Sequence, residues 1–298
     1  MICLFERDPQ APSWRHAEIA NNTYVARQAV ELVVRTIATL GNYDYILDWV
    51  LTEGGTIRID VGATGIDQVK GVSAQTLGDG SASRDTAYGN LVASNLVGVN
   101  HDHFLSFRLD VDIDGQRNTL VEQKAVPLRL QQPSGRRSLW RPIERDVRVE
   151  GALHEPMSGS TVLWRIENRN GTLMLGQHPS YEIRPGHIVT SLLGPDDIAQ
   201  QRAAFSGAPL WVTAYDAREL YAAGPYPNES RQQDGLPRYT AQRRRVLDSD
   251  IVLWYTMGFR HVTRPEDWPI LPTVWHSVSL VPYGFFSHNP TFDPRQQP

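Results

Sequence analysis

Two histidines one residue apart, His101 and His103, stand in the run VNHDHFLSFRLDVDIDG. In an extended chain successive side chains alternate, so both point to the face that also carries Leu105, Phe107, Leu109 and Val111. Imidazoles on an apolar face are costly to bury unless their nitrogens are satisfied. A transition metal does that, and a His-x-His pair on a strand can chelate one. Copper, zinc, iron and nickel all accept imidazole, so the pair does not choose the metal. Two hydrogen-bonded core histidines would satisfy the same pattern. The other face carries Asp102, Arg108, Asp110 and Asp112. Asp110 and Asp112, with Asp114 and Gly115 following, could hold a hard cation through oxygen, or form a solvated acidic strand end.

A third histidine, His261, lies in YTMGFRHVTRPEDWPILP. Pro265, Pro269 and Pro272 argue against a regular helix or a central strand, so a rigid loop is expected to carry it. In TLGNYDY, alternation puts Tyr43 on the face of Tyr45, Leu47 and Trp49, where a core tyrosine with a partnered hydroxyl is the ordinary reading.

Strands must position these groups. Residues 43–61 read as a hairpin turning at Gly54–Gly55, and Asn170–Gly171 marks a second turn within TVLWRIENRNGTLML. Alternation also covers 99–113 and 248–257. Residues 26–38 fit helix or strand equally. Residues 71–90 and 222–238 read as loops, and 196–204 and 215–223 as short helices. Many short strands between Gly and Pro turns predict an all-β fold, a large β-sandwich.

A net charge of -4 over 298 residues argues against nucleic acid as a partner. No apolar run is long enough to span a bilayer, which needs about 18 residues. The opening residues lack the apolar core of a signal peptide, and no address for a compartment is readable. Cys3 is the single cysteine, so no internal disulfide forms.

Two longer patterns resemble the copper amine oxidase family. Its first signature has three aliphatic residues, four of any kind, then Ser/Thr-x-x-Asn-Tyr-Asp/Glu-Tyr/Asn. Here Leu32-Val33-Val34 is followed, after four residues, by Thr39-Leu40-Gly41-Asn42-Tyr43-Asp44-Tyr45. The second signature is met by Thr256-Met257-Gly258-Phe259-Arg260-His261-Val262 and Glu266-Asp267-Trp268-Pro269. WVTAYDARELYAAGPYPNES and GFFSHNP are also similar, and the likeness covers nearly the whole chain. The resemblance implies that Tyr43 is the precursor of topaquinone, made by the protein's own copper and dioxygen. It implies His101, His103 and His261 as copper ligands, with Asn42 and Asp44 flanking the quinone. It also implies a second, calcium-type site at Asp110, Asp112 and Asp250, with backbone oxygens of Val111 and Ile251. The expected activity is oxidation of a primary amine by dioxygen to aldehyde, ammonia and hydrogen peroxide, in a homodimer.

One part of the pattern is missing. In the family a carboxylate base lies farther upstream of the tyrosine than the 42 residues available, and Asp8 lacks its context. Residues 1–298 are therefore expected to form a single catalytic domain without its first strands, its base, or the family's smaller N-terminal domains. A non-catalytic copper-binding β-sandwich is the alternative.

Overall fold

Runs rich in Val, Ile, Thr and aromatics favour strands, and they form strands here. A computed structural model describes residues 2–20, 22–131, 135–154, 162–186, 188–230 and 234–292. The chain forms two compact units. The first comprises residues 1–103, 259–279 and 290–298, and the second residues 104–258 and 280–289.

The first unit contains β1 (Ile2–Arg7), β2 (Pro12–Glu18), β3 (Thr23–Gln28), β4 (Glu31–Leu40), β5 (Tyr43–Thr52), β6 (Ile57–Gly65) and β7 (Val69–Gly71). A one-turn helix α1 (Ala82–Asp85), β8 (Gly89–Ala93) and β9 (Leu96–Val99) follow. Residues 26–38, ambiguous by composition, are extended wherever regular. β1, β4, β5 and β6 lie side by side in that order, all antiparallel. The Gly54–Gly55 turn is as expected, with Gly55 at φ 80°.

Register divides this sheet into two faces. Tyr43, Tyr45, Leu47, Trp49 and Leu51 share one face with Ala63, Val61 and Ile59 of β6. Arg35, Asp48 and Asp60 are cross-strand neighbours on the other. There Asp48 is fully buried and accepts a bidentate pair from Arg35, with both contacts at 2.7 Å.

The second unit holds most of β10 (His101–Asp110), then β11 (Thr119–Arg129), β12 (Ser138–Asp146), β13 (Gly151–Leu153), β14 (Val162–Glu167) and β15 (Ser180–Arg184). It continues with α2 (Ile198–Arg202), β16 (Leu210–Ala214), α3 (Leu236–Thr240) and most of β17 (Ile251–His261). The last strand, β18 (Leu271–Tyr283), gives its first nine residues to the first unit and its end to the second. Trp164, Ile166, Leu210, Trp254 and Tyr255 are core residues of the second unit. No helix of the described residues is long and apolar enough to cross a membrane.

Three local expectations are corrected. Asn170–Gly171 is not a tight hairpin turn. β14 and β15 pair across a longer loop, in which Asn168 accepts from the Asn170 amide and Gly176, at φ 84°, turns the chain. Residues 215–223 form turns instead of a helix, because Asp216 accepts from the Arg218 amide and locks a local turn. His261 ends strand β17 rather than sitting in a loop, and Pro272 lies inside β18. Proline is tolerated there as the second residue of the strand.

Candidate active site

The site lies within the first unit, where a tight turn, a strand end and a glycine bend converge. Leu40 and Tyr43 pair across the two-residue turn Gly41–Asn42. Gly41 has φ 62°, as the first central position of a type II′ turn requires. Tyr43 is therefore the first residue of β5, facing inward and 9% exposed. Opposite it in register is Gly65, at φ 109°. A Cβ there would stand 2.4 Å from the Asn42 carbonyl oxygen, so only glycine permits this approach. The bend carries the chain out of β6 and places Asp67 and Gln68 against the Tyr43 ring.

The Tyr43 hydroxyl has three neighbours. His101 Nε2 lies at 2.8 Å, Asp67 Oδ1 at 3.1 Å, and the Gln68 amide donates to it at 2.9 Å. Burial raises the phenol's pKa well above its usual value, the Asp67 charge adds to this, and the Gln68 amide opposes it.

His101, His103 and His261 offer ring nitrogens that all lie within 4.8 Å of one another. Each ring is oriented through its other nitrogen. His101 Nδ1 donates to the Val99 carbonyl at 2.6 Å, which leaves Nε2 with its lone pair. His261 Nε2 donates to Asp267 at 2.9 Å, which leaves Nδ1. His103 Nδ1 meets the Tyr45 hydroxyl at 2.6 Å. Partners of this kind fix the tautomer and direction of metal-binding imidazoles. His103 is lowered to about 4 by burial and by its two neighbouring imidazoles, so it is neutral at pH 7. Three imidazoles with nitrogens gathered in this way suit a transition metal such as copper(II).

Two further contacts fix the ligand-bearing strand ends. Asp102, between the paired histidines, takes both ends of the Arg260 guanidinium at 2.7 Å. The Phe259 ring lies between two imidazoles, 4.6 Å from His103 and 4.3 Å from His276, nearly parallel to both. His103, Phe259, His261, Leu271 and His276 line a cavity of about 400 Å³.

The expected site residues separate. Tyr43 and the three histidines come together. Asn42 and Asp44 adjoin Tyr43 in the chain, but Asp44 accepts from the Thr39 hydroxyl at 2.5 Å, on the opposite sheet face. Asp67, Phe259 and His276 had no role in the sequence reading. Phe259 was only an unspecified position of a motif, and neither spacing nor composition marks Asp67 or His276.

In the second unit Asp110, Asp112 and Asp250 bring carboxylate oxygens within 4.8 Å of one another. Asp250 is raised by burial and by the charges of Asp112 and Asp110. Its Oδ1 is buried with no hydrogen-bond partner among the described residues. Oxygen-only donors with surplus negative charge suit a hard cation.

The chain matches the family model described as copper amine oxidase, enzyme domain, over residues 1–298. It is 37% identical to primary amine oxidase 1 of Arabidopsis thaliana, over 97% of this chain and 45% of that protein. It is 38% identical to primary amine oxidase of Klebsiella aerogenes, over 99% of this chain and 40% of that one. A copper-containing benzylamine oxidase from Hansenula polymorpha superposes with TM-score 0.90 at 30% identity, over 97% of this chain and 44% of that structure. The chain belongs to the copper amine oxidase family. It spans less than half the length of these relatives, and its all-β antiparallel fold is that of their catalytic domain.

Proposed function

We propose that this chain carries the copper and quinone chemistry of a primary-amine oxidase, which converts a primary amine and dioxygen to aldehyde, ammonia and hydrogen peroxide. The observation that carries the reading is the convergence of three imidazole nitrogens within 4.8 Å of one another, with the Tyr43 hydroxyl 2.8 Å from the His101 Nε2. His101, His103 and His261 would hold copper through Nε2, Nε2 and Nδ1. Tyr43 would become topaquinone. Once present, copper and the quinone supply redox chemistry with dioxygen and an electron-accepting carbonyl for the amine.

The chain's own residues do the positioning. Val99, Tyr45 and Asp267 hold the three rings, and the Gly41–Asn42 turn and Gly65 set the position of Tyr43. Asn42 and Asp44 bracket that position in the chain. The reading assigns no residue of this chain as the base that removes the amine's α-proton. It also takes residues 1–298 as one catalytic domain that acts as a homodimer, and places a calcium-type ion at Asp110, Asp112 and Asp250, with the backbone oxygens of Val111 and Ile251.

The test is mass analysis of the Tyr43 peptide after metal-free protein is incubated with copper in air. A gain of two oxygens less two hydrogens on Tyr43, lost in His101→Ala, supports the reading. An unmodified tyrosine in copper-loaded protein overturns it.

A further inference from the structure

β10 carries a second pair of polar side chains two residues apart, Ser106 and Arg108, on the strand face away from His101 and His103. Both line a cavity of about 360 Å³ within the second unit. Phe205, Tyr221, Pro227 and Trp254 are among its walls. Among the described residues no Asp or Glu lines it, and Arg108 is its one charged group. The volume is that of a small-molecule site, which is typically apolar with a few fixed polar groups.

The Ser106 hydroxyl oxygen is buried and has no hydrogen-bond partner among the described residues. A hydroxyl left that way is costly, and an acceptor entering the cavity would remove the cost. The Arg108 guanidinium is held in place without being used up. Its Nε donates to the Glu219 carbonyl at 3.2 Å and its Nη1 to Asp110 at 3.1 Å. The rings of Tyr215 and Trp254 lie 5.5 and 5.7 Å from its central carbon. Its Nη2 has no hydrogen-bond partner among the described residues. A guanidinium fixed in this way, with N–H groups to spare, suits an oxyanion.

We propose that this cavity binds a small organic monocarboxylate with an aromatic body. The carboxylate would accept from Arg108 Nη2 and Ser106 Oγ, and the body would pack against Phe205 and Trp254. Arg108 repels a protonated amine, so the cavity is not a second place for a cationic substrate. A phosphate would gain nothing from the apolar walls. None of the lining residues is assigned to copper or quinone, so this site does not depend on the copper reading. Asp110, paired with Arg108, belongs to the acidic cluster with Asp112 and Asp250. The charge of that cluster opposes an anion until a cation offsets it.

The test is isothermal titration calorimetry of the full chain with benzoate and with benzamide, its neutral isostere, each with and without calcium. Benzoate is expected to bind with a Kd of about 1 mM or tighter, and about tenfold more tightly than benzamide. Arg108→Gln is expected to remove that preference. Ala223→Phe, which fills the cavity from the loop that lines it, is expected to abolish binding of both. Ser106→Ala is expected to weaken benzoate about fivefold and yet raise the melting temperature of the free protein, because it deletes a buried unsatisfied hydroxyl. A substitution that only damaged the fold would lower both. If Arg108→Gln does not fold, Ala223→Phe and Ser106→Ala decide. Absence of benzoate binding in both calcium conditions, equal affinity for benzoate and benzamide, or binding that survives Ala223→Phe would each overturn the proposal.

Discussion

His101 joins Tyr43 to the backbone: Nε2 lies 2.8 Å from the phenol oxygen, while Nδ1 donates to the Val99 carbonyl two residues back. The ring cannot turn away from Tyr43 without breaking that bond. Its direction is set by its own strand entry, before any ligand arrives.

The same logic makes Asp267 a lever on His261. Asp267 also accepts from the Arg264 amide and guanidinium, so it ties the ring to the turn that follows β17. Asp267→Ala should weaken copper binding about 10–100-fold. Chelator competition on folded protein measures this, and unchanged affinity would show that His261 needs no such support.

His103 should make the metal-free protein acid-sensitive. Its value in the fold is about 4, against 6.5 for an ordinary imidazole. The unfolded chain therefore binds the extra proton more readily. Stability from this group is complete above about pH 6.5 and is lost as pH falls toward 4. At about 1.4 kcal/mol per unit, the loss is on the order of 3 kcal/mol. Urea unfolding at pH 7 and pH 4.5 reads it, and His103→Gln should flatten the dependence.

Asp250 carries the opposite sign. Its value is raised, so the folded protein is penalised as pH rises above the ordinary carboxylate value of 3.8. At pH 7 the metal-free Asp250→Asn variant should melt above the parent. Calcium should raise the parent's melting temperature and leave the variant's unchanged. A calcium response that survives in Asp250→Asn would remove Asp250 from the cation site.

Asp48 should matter for the fold and not for the metal. It is fully buried, and Arg35 depends on it for two hydrogen bonds. Asp48→Ala should destabilise the protein by about 3 kcal/mol, measured by denaturant unfolding. Copper affinity of the folded fraction should not change, because the pair lies on the sheet face opposite Tyr43.

The parts of the site that could be read from sequence are those written along a single strand. His101 and His103 share a face because two residues make one strand period, and Tyr43 is fixed by its motif. Asp67 was invisible because its place depends on Gly65, whose bend has no signature in a run that otherwise reads as strand. The His103–Phe259–His276 stack joins β10, β17 and β18, and no local pattern reports a contact among three strands so distant in sequence. Pro272 misled for a related reason: proline excludes a strand interior, but here it stands one residue inside a strand end.

The Gly41–Asn42 turn has a consequence for what change this chain can absorb. Tyr43 and Asp44 point to opposite sides of the sheet, and the turn alone decides which side each takes. Losing or gaining one residue there would present the acid to the histidines and send the phenol to the face of Arg35 and Asp48. Most surface hairpins tolerate insertion, but this one works as an indexing stop, where length matters more than composition.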